Sequence, residues 1–475
     1  MASDLPKDWI CRPRGSRGAH LVGIGGAGMR SLARVLLGWG WKLSGSDLDC
    51  SSLRFLRVRR VKLYEGHAAE HLPGDADVLI ASDAVGADNP ERQRAAELGI
   101  PVLSYFQALG RILSTRRGVA IAGTHGKSTT AAMLGQMLIS EGPYQPTVIY
   151  GAAPLGEDCG GQPGNSLLAV VEACEHRANF LHLRPLRAAI LGIEPDHFDY
   201  YRSPEQLERA FRRFAERIPA DGLLVARKEC PVTQRIIQGL KCRVVTFGWT
   251  PSANWSARKV RHRQGRYSFS IHARRKHFCE VSLQVPGEHN VLNALAAAAL
   301  ADACCAFPQQ IADRLGQFTG LRRRLEVVGT RRRVTLIDDY AHHPTEVAAG
   351  LRTIRQMNPR RQVWCVFQPH QASRTAHLLD ELAASLQNAD KVIVAEVYRS
   401  REPAPEAGEA TAEDLARKVE AGGTKVFAAH EAGAILELLE SRLRPGNVVV
   451  TMGAGDIRKV CDGLMERLRE DRAAG

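Results

Sequence analysis

The sequence predicts an α/β protein of three domains, each built on a largely parallel β-sheet with flanking helices. Short apolar runs alternate with amphipathic helical patterns almost throughout the chain, as expected for parallel strands joined by crossover helices. This alternation falls into three blocks, and 475 residues are too many for a single hydrophobic core. We therefore expect domains at residues 1–116, 117–320 and 321–475.

The first domain is expected to be Rossmann-like. It opens with the apolar run His20-Leu-Val-Gly-Ile24, and a helical pattern follows directly. Apolar runs at residues 42–46 and 77–81 predict two further strands of the same sheet.

The central domain begins with an apolar strand that stops at Gly123, and a helix is predicted from Lys127. Apolar runs predict two later strands at residues 167–172 and 188–193. A β-rich stretch is predicted at residues 242–285, and a helix rich in Ala and Leu at residues 290–303. The third domain, also expected to be Rossmann-like, has predicted strands at residues 334–338, 362–367, 391–396 and 447–452.

Composition excludes several classes of protein. The net charge is +13, but aromatic residues make up only 6%, and no basic stripe interleaved with aromatics is present, so we expect no nucleic-acid partner. Polyanionic small molecules explain part of the charge. There is no apolar run of about eighteen residues and no signal-peptide core at the N-terminus, which predicts a cytoplasmic protein without membrane insertion. The eleven cysteines are scattered and contain no Cys-x-x-Cys pair, as expected for reduced thiols.

The segment Gly123-Thr-His-Gly-Lys-Ser-Thr129 predicts a site for a nucleoside triphosphate. Glycines at a strand–helix turn allow backbone N–H groups to surround the phosphates. Lys127 is expected to reach the outer phosphates, and the Ser128 hydroxyl is expected to bind Mg²⁺. Two residues separate the glycines, whereas an ordinary GTPase loop has four.

A second glycine-rich turn, Gly23-Ile-Gly-Gly-Ala-Gly28, follows the first predicted strand and precedes a helix. Asp47 lies about twenty residues further on, at the end of the next strand, where it can accept a hydrogen bond from a ribose hydroxyl. These residues predict a bound diphosphate. The pattern alone does not distinguish NAD from a UDP-sugar.

Acidic residues follow two strands of the central domain. Glu172 and Glu175 come directly after one apolar run, and Glu194-Pro-Asp-His-Phe-Asp199 follows the next. Because parallel strands present their carboxyl ends at one edge of the sheet, these side chains are expected to lie near the phosphate loop. Carboxylates and hydroxyls suit Mg²⁺.

The third domain has polar segments at two strand ends, residues 338–346 and 368–375. His342 and His343 are adjacent, and neighbouring histidines rarely share a metal ion. Contacts to phosphate, carboxylate or adenine are the better interpretation, and one of the two histidines is expected to be structural.

These motifs, in this order, resemble the Mur ligases of bacterial cell-wall synthesis over residues 23–457. The resemblance rests on eight segments that end at Met29, Asp47, Glu91, Thr129, His197, Asn293, Glu346 and His370. It implies an ADP-forming ligase that joins L-alanine to UDP-N-acetylmuramate through an acyl phosphate, with ATP and Mg²⁺. It also implies small-molecule partners and a monomer or homodimer.

The resemblance also implies a role for each matching residue. ATP would contact the phosphate loop and the third domain through Gly123, Thr124, His125, Gly126, Lys127, Ser128, Thr129, His289, Asn293, Arg324 and Asp339. One Mg²⁺ would bind Ser128 and Glu172, with Glu175 as the alternative carboxylate. A second Mg²⁺ would bind His197. Substrate contacts would come from Gly23, Gly25, Gly26, Gly28, Met29, Ser46, Asp47, Ser82, Tyr340, His342, His370 and Arg374. The residues expected to be catalytic are Lys127, His197, His342 and Arg374.

Four features depart from the family pattern. There is no lysine in residues 198–220, so the carbamate that many Mur ligases form there is absent. Gln371 stands where arginine is common, Asp83 where serine is frequent, and Arg30 where a small residue is usual. The change at Gln371 leaves Arg374 as the remaining positive contact for a carboxylate.

Three other functions were weighed against the alanine-adding ligase. One is a ligase that attaches a murein tripeptide to the same UDP-sugar. Another is an NAD(P)-dependent oxidoreductase, which leaves the ATP-type site without a purpose. The last is a non-catalytic scaffold, which predicts loss of Lys127 or the strand-end acids, yet all are present.

Overall fold

The computed structural model describes residue 10 and residues 17–51, 53–139, 142, 145–400, 402 and 410–469. Its strands form three separate sheets of five, nine and six strands. The sheets lie within residues 18–104, 117–286 and 326–452, so the fold is the expected three-domain α/β arrangement. The chain ends of the first and third predicted domains fall outside the described residues.

The first sheet is entirely parallel, with strand order β3-β2-β1-β4-β5. Its strands are β1 Gly18–Val22, β2 Lys42–Asp47, β3 Lys62–Glu65, β4 Val78–Ala81 and β5 Val102–Ser104. Its helices are α1 Ala27–Gly38, α2 Arg54–Val58, α3 Pro90–Glu97 and α4 Tyr105–Ser114. The strand order reverses between β1 and β4, which places the glycine-rich turn after β1 at the crevice where such sheets bind ligands.

The central sheet has the order β14-β13-β12-β11-β10-β9-β6-β8-β7, and only the β12–β13 and β13–β14 pairs are antiparallel. Its strands are β6 Arg117–Ala122, β7 Thr147–Ile149, β8 Leu168–Glu172, β9 Arg187–Ile190, β10 Leu223–Arg227, β11 Arg243–Gly248, β12 Trp255–Arg263, β13 Arg266–Ala273 and β14 Lys276–Pro286. Its helices are α5 Lys127–Met137, α6 Pro204–Ala215, α7 Pro231–Ile236, α8 His289–Ala303 and α9 Pro308–Gly316. The phosphate-loop strand β6 therefore lies between β8 and β9, whose ends carry the acidic segments.

The third sheet has the order β15-β16-β20-β17-β18-β19, with a single antiparallel pair, β15–β16. Its strands are β15 Glu326–Arg331, β16 Val334–Asp339, β17 Val363–Phe367, β18 Lys391–Val394, β19 Lys425–Phe427 and β20 Val448–Met452. Its helices are α10 Pro344–Met357, α11 Ala372–His377, α12 Leu379–Leu386, α13 Ala412–Ala421, α14 Ala432–Arg442 and α15 Arg458–Arg467.

The apolar runs located most of the central strands, but sequence analysis missed six strands: β3, β5, β7, β10, β15 and β19. Two of these, β3 and β19, have polar, partly exposed residues and give little periodic signal. β9 ends at Ile190, three residues before the predicted end, and Gly192 follows with φ of 148°. Glu194 therefore lies in the loop after the strand.

The first two domains share one hydrophobic core. A single cluster of buried side chains includes Leu32 and Trp39 from the first domain and Phe180, Phe211 and Phe214 from the central domain. The two buried clusters on the faces of the third sheet include no residue from the other two domains. Apolar burial therefore holds the first domain on the central domain, whereas the third packs its own core.

Helix α1 contacts the central-domain segment 150–164 directly. The Ser31 hydroxyl donates to the Tyr150 carbonyl at 2.8 Å, and the Trp39 indole N–H donates to the Gly164 carbonyl at 2.9 Å. A Cβ on Gly161 would lie 2.1 Å from the Ser31 carbonyl oxygen. Only glycine allows this approach of two backbones, which fixes the position of α1. In the described residues, no helix has the length and hydropathy of a membrane span.

We expect Gly161→Ala to destabilise the contact between the first two domains, because the added methyl group overlaps the backbone of α1. Overpacking of this kind costs about 1–3 kcal/mol, which lowers the melting temperature by about 2–8 °C. Differential scanning calorimetry measures the change. Gly433→Ala is the control, since a Cβ there meets nothing within 4 Å. Equal melting temperatures for the two variants would contradict the role assigned to this contact.

Candidate functional site

The phosphate loop joins β6 to α5 near the middle of the nine-stranded sheet. Two glycines determine its path, since Gly123 has φ of 131° and Gly126 has φ of 77°. A Cβ on Gly126 would also meet the Asn293 side-chain oxygen at 2.3 Å. The Thr124 N–H donates to the Gly192 carbonyl at 2.9 Å, which ties the loop to the end of β9.

Lys127 is the buried cation of the loop. Its ammonium group donates to the carbonyls of Gly123 (2.7 Å) and Thr124 (3.0 Å) and to the Glu175 carboxylate (3.0 Å). Burial favours the neutral amine, but Glu175, Cys174 and Glu172 outweigh it and raise the pKa of Lys127 above its usual value. Lys127 therefore stays charged throughout the physiological range.

Ser128 and Glu172 form the first predicted metal site. The Ser128 hydroxyl donates to Glu172 Oε2 at 2.8 Å, and the same oxygen accepts from the Gly151 N–H at 2.8 Å. The end of β8 supplies the carboxylate, and the first turn of α5 supplies the hydroxyl. The structure thus brings together two oxygen ligands that are 44 residues apart in the chain.

His197 lies beside Glu175, which is also the carboxylate partner of Lys127. His197 Nε2 is 3.6 Å from Glu175 Oε1, and the Glu175 side chain is 1% exposed. Ligand atoms of Cys174, Glu175 and His197 all lie within 4.8 Å of one another, as do those of His176, His197 and Asp199. Burial raises the pKa of the Cys174 thiol to about 12, so this sulfur is protonated at neutral pH.

A pocket lies between the central and third domains. The predicted adenine contacts His289 and Asn293 line it together with Arg324 and Asp339 from the third-domain side. Its other lining side chains include residues of the phosphate loop and a group of apolar residues: His125, Gly126, Thr129, Leu191, Phe247, Val285, Leu292, Phe318 and Leu325. The pocket therefore joins an apolar wall to the beginning of the phosphate loop.

Burial changes the charge of two groups in this pocket. It raises the pKa of Asp339 to about 7, against the opposing effect of Arg324. It lowers the pKa of His289 to about 4, although Glu346 acts in the other direction. His289 is therefore a neutral imidazole at physiological pH, and Asp339 exchanges a proton near neutrality.

Tyr340, His342 and His370 form an aromatic cluster at the strand ends of the third sheet. The Tyr340 and His342 rings are 5.5 Å apart, and those of His342 and His370 are 5.7 Å apart. Burial lowers the pKa of His342 to about 4 and that of His370 to about 3. Both imidazoles are therefore neutral at physiological pH.

Arg374 crosses from the third domain to the central domain. Its Nε donates to Asp196 Oδ1 at 2.8 Å, and its Nη1 donates to His370 Nδ1 at 2.9 Å. The Arg374 and Asp196 side chains are 4% and 6% exposed. Burial raises the pKa of Asp196, but His197 and Arg374 outweigh it and hold the pKa well below the usual range. Neighbouring Gln371 has φ of 68°, a strained conformation for a residue with a side chain.

A second contact links the phosphate loop to the third domain. His125 Nδ1 lies 3.0 Å from Glu346 Oε1, and its Nε2 lies 3.4 Å from Glu194 Oε2. The Thr345 hydroxyl donates to Glu194 Oε2 at 2.5 Å. Burial lowers the pKa of His125, but the two carboxylates outweigh it and raise the pKa to about 9. His343 is structural, as one of the adjacent histidines was expected to be, because it accepts from Thr345 N–H and faces the Pro195 carbonyl.

The glycine-rich turn of the first domain is closely packed. The Gly25 N–H donates to Asp47 Oδ2 at 2.7 Å, and a Cβ on Gly25 would lie 2.8 Å from that oxygen. A Cβ on Gly28 would meet the Tyr105 ring at 2.8 Å, and one on Gly23 would meet Ser82 Cβ at 2.8 Å. Gly25, Gly28 and Asp47 thus meet at the end of β1, with Ser82 beside them, and Gly26 is exposed there.

Two predicted substrate contacts are corrected by the structure. The Ser46 side chain is fully buried, and its hydroxyl donates to the Glu91 carboxylate at 2.8 Å. Its carbonyl accepts from Gly23 N–H at 2.8 Å, so Ser46 supports the turn from behind. Met29 is 2% exposed and belongs to the hydrophobic core. The prediction treated Ser46 and Met29 as substrate contacts because they belong to motifs that bind a ligand. Such motifs also contain side chains that face the protein interior.

Sequence reasoning assigned no role to Asp196, Glu346 or Glu91, although it quoted the motifs that contain them. Asp196 and Glu346 bind across the domain boundary, and Glu91 holds His20 at 2.5 Å inside the first sheet. The signal that could have identified these residues is a carboxylate within a motif at a strand end. A carboxylate that is buried there requires a hydrogen-bond or ion-pair partner.

The fold and this cleft define a three-domain nucleotide-binding enzyme of the ligase class, with a phosphate loop facing a second nucleotide-type fold. Models of the Mur ligase family match it in three parts: the "Mur ligase family, catalytic domain" at residues 18–117, the "Mur ligase middle domain" at 121–301 and the "Mur ligase, glutamate ligase domain" at 323–455. The chain belongs to the Mur ligase family.

Curated relatives and a solved structure agree with this assignment. UDP-N-acetylmuramate–L-alanine ligase of Salinibacter ruber is 39% identical over 458 residues, which is 96% of each chain. The ligase of the same name from Acetivibrio thermocellus is 35% identical over 95% of this chain and 96% of its own. The crystal structure of UDP-N-acetylmuramate–alanine ligase from Thermotoga maritima superposes with a TM-score of 0.80, at 27% identity, covering 96% of this chain and 100% of that one.

We expect the His125 contact to stabilise the closed cleft at low pH and to be lost at high pH. The pKa rises from 6.5 to about 9 on folding, so the stabilisation is complete below about pH 6.5 and disappears as the pH rises through about 9. His125→Gln should lower the melting temperature by about 2–4 °C at pH 6.5 and by less at pH 9.5. A difference between wild type and variant that does not change with pH would contradict this assignment.

Proposed function

We propose that this chain is the ATP-dependent ligase that joins L-alanine to UDP-N-acetylmuramate in the synthesis of peptidoglycan precursors. One observation carries the proposal: Ser128 and Glu172, next to Lys127, line a pocket together with Arg324 and Tyr340 of the third domain. An acid, a triphosphate and an amine can meet there. The names of the relatives from S. ruber and A. thermocellus support alanine as the amine.

We assign one task to each predicted domain. Residues 1–116 would hold the UDP-sugar, residues 117–320 the phosphates of ATP, and residues 321–475 would complete the adenine pocket and bind the amino acid. The apolar wall and the neutral His289 suit a flat adenine ring, and Arg324 lies over Tyr340 at 5.0 Å beside it.

Mg²⁺ fits the donors of the central domain. The oxygens of Ser128 and Glu172 are 2.8 Å apart, so both can bind one hard cation beside a phosphate. His197 and Glu175, at 3.6 Å, are the candidates for a second ion. Bound there, magnesium would stabilise negative charge on the phosphoryl oxygens. The protein's own contribution is to hold these ligands at the end of the phosphate loop.

In the first stage, the muramate carboxylate attacks the γ-phosphorus of ATP, and ADP leaves. Both reactants are anions, so a fixed positive charge lowers the barrier more than a mobile one would. Lys127 supplies that charge, and in the absence of nucleotide its ammonium group is held by Glu175 and two loop carbonyls. The product is an acyl phosphate.

In the second stage, the amine of alanine attacks the acyl carbon, and phosphate leaves the tetrahedral intermediate. The attacking ammonium group must lose a proton. His342 Nδ1 donates to the Tyr340 carbonyl, which leaves Nε2 as the acceptor nitrogen of the ring, so we assign His342 as the proton acceptor. Arg374 and Tyr340 would orient the amino acid, and domain contacts exclude water that would hydrolyse the acyl phosphate.

The UDP-sugar would bind at the turn formed by Gly23, Gly25, Gly26 and Gly28. The α1 N-terminus offers backbone N–H groups to its diphosphate. Asp47 and Ser82 remain candidates for contacts with the ligand. Because nucleotide sugars and ATP are cytoplasmic metabolites, we place the enzyme in the cytoplasm. One chain supplies every part of the cleft, so it would act as a monomer or homodimer.

The decisive experiment is phosphate release from ATP with UDP-N-acetylmuramate and single amino acids. We expect release with L-alanine, and comparison with serine and glycine defines the preference. Release only with the murein tripeptide would replace the proposal by the tripeptide ligase. A change in NAD(P) absorbance without phosphate release would replace it by an oxidoreductase.

We expect Lys127→Ala to lower kcat by about 10²–10³-fold, as for other losses of a charge that stabilises the transition state. The control is Lys418→Ala, which removes an exposed lysine of α13. Steady-state phosphate release measures both variants. Turnover within about twofold of wild type would remove Lys127 from the mechanism.

We expect Gln371→Arg to change the KM for the amino acid more than the KM for ATP. Gln371 directly follows His370, which accepts from Arg374, and it does not line the adenine pocket. An arginine here supplies a second charge for the carboxylate of alanine. A change confined to the ATP KM would contradict the placement of Gln371 near the amino acid.

A further inference from the structure

A second pocket lies where all three domains meet. The first domain contributes Ala27 and Arg30 from α1, the central domain contributes Ser128 and Glu172, and the third-domain side contributes Arg322. Five other charged or aromatic residues lie along its third-domain wall, Arg323, Arg324, Tyr340, Arg458 and Asp462, and Asp158 of the central domain also lines the pocket. Five guanidinium groups thus surround one opening that reaches the phosphate loop.

The positive charge of this pocket is only partly neutralised. Arg458 is paired with Glu326 at 2.8 Å, and Arg323 lies 3.3 Å from Asp338. Within the described part of the chain, the side chains of Arg30 and Arg322 make neither a hydrogen bond nor an ion pair. Two cations without partners at one cavity indicate a ligand that is itself an anion.

Of these two arginines, Arg30 gives the stronger indication of an anionic ligand. Its Nε is buried and has no hydrogen-bond partner, although the side chain as a whole reaches the pocket. Burial lowers the pKa of this guanidinium, while the nearby Cys159, Asp158 and Asp47 favour its charge without bonding to it. A desolvated N–H donor is costly unless a partner arrives, so the structure leaves a place for one.

The position of Arg30 is fixed by its helix. Ser31, the next residue, bonds to the Tyr150 carbonyl, and Gly161 packs directly on its backbone. Arg30 therefore lies between two sites: the turn at the start of α1, and Ser128 with Glu172. A molecule that extends from one to the other must pass its guanidinium.

We propose that Arg30, assisted by Arg322, binds an anionic group of the UDP-sugar acid and so positions its reacting end at the phosphate loop. This inference rests on the function proposed above. The group is either the diphosphate or the carboxylate, since a planar guanidinium binds both in the same bidentate way. Arg30 is thus a positioning residue, which acts by holding the substrate in place.

The test compares Arg30→Ser, Arg30→Lys and Arg34→Ser. Arg34 lies one turn further along α1 and pairs with Glu157 at 2.7 Å, so its variant controls for the lost charge and a weakened domain contact. Isothermal titration calorimetry without ATP measures the Kd for UDP-N-acetylmuramate and for UDP-N-acetylglucosamine, which lacks the carboxylate. Steady-state kinetics measures the KM for each substrate.

We expect Arg30→Ser to raise the Kd and KM for UDP-N-acetylmuramate by about 10-fold or more, as for loss of a charged hydrogen bond, with the ATP KM unchanged. Arg30→Lys should recover part of the loss, and Arg34→Ser should resemble wild type. Weaker binding of both nucleotide sugars assigns the diphosphate, and weaker binding of the muramate alone assigns the carboxylate. Unchanged binding of both, or an effect equal to that of Arg34→Ser, overturns the inference.

The result of the Arg30 binding test can be distinguished from the result of the phosphate-release test of the proposed function. If wild type binds UDP-N-acetylmuramate but releases no phosphate with any amino acid, the proposed reaction is wrong and the binding comparison still tests Arg30. If the reaction proceeds and the Arg30 variants bind normally, only the role of Arg30 is wrong.

Discussion

The buried ion pair between Lys127 and Glu175 is the interaction on which the cleft depends. A phosphate loop needs a fixed cation, and a cation without water needs a carboxylate. Glu175 supplies it from the segment after β8, and His197 lies 3.6 Å from the same carboxylate. The strand order, with β6 between β8 and β9, is what brings these residues to one place. In the proposed reaction, nucleotide, metal and sugar acid would therefore meet close to one charged group.

The third domain has a different electrostatic character. Its imidazoles at the cleft are neutral because burial outweighs the carboxylates near them, as in His342. Its permanent charges are tied to the central domain, as in the Arg374–Asp196 pair. This division suits a reaction in which one side stabilises negative charge on phosphate and the other accepts a proton from an amine. The central-domain side would thus stabilise negative charge, and the third-domain side would accept a proton.

The sequence predicted the fold well because long apolar strands and glycine turns are local signals. It placed β6, α5 and the acidic ends of β8 correctly, since each follows from a short pattern around Lys127 or Glu172. It misjudged Ser46 and Met29 because a motif does not say which side chains face inward. The Arg374 partner of Asp196 and the pocket around Arg30 could not be predicted, since both depend on how separate domains pack. Pairs 178 residues apart leave no periodic trace in one sequence.

The three domains are not joined in the same way. The first shares a hydrophobic cluster with the central domain and touches it backbone to backbone at Gly161. The third meets it through polar pairs, of which Thr345–Glu194 is exposed and Arg374–Asp196 is buried. In the proposed reaction, rotation of the third domain would break these pairs and release a spent nucleotide, while the first and central domains keep the sugar-binding turn assembled for the next cycle.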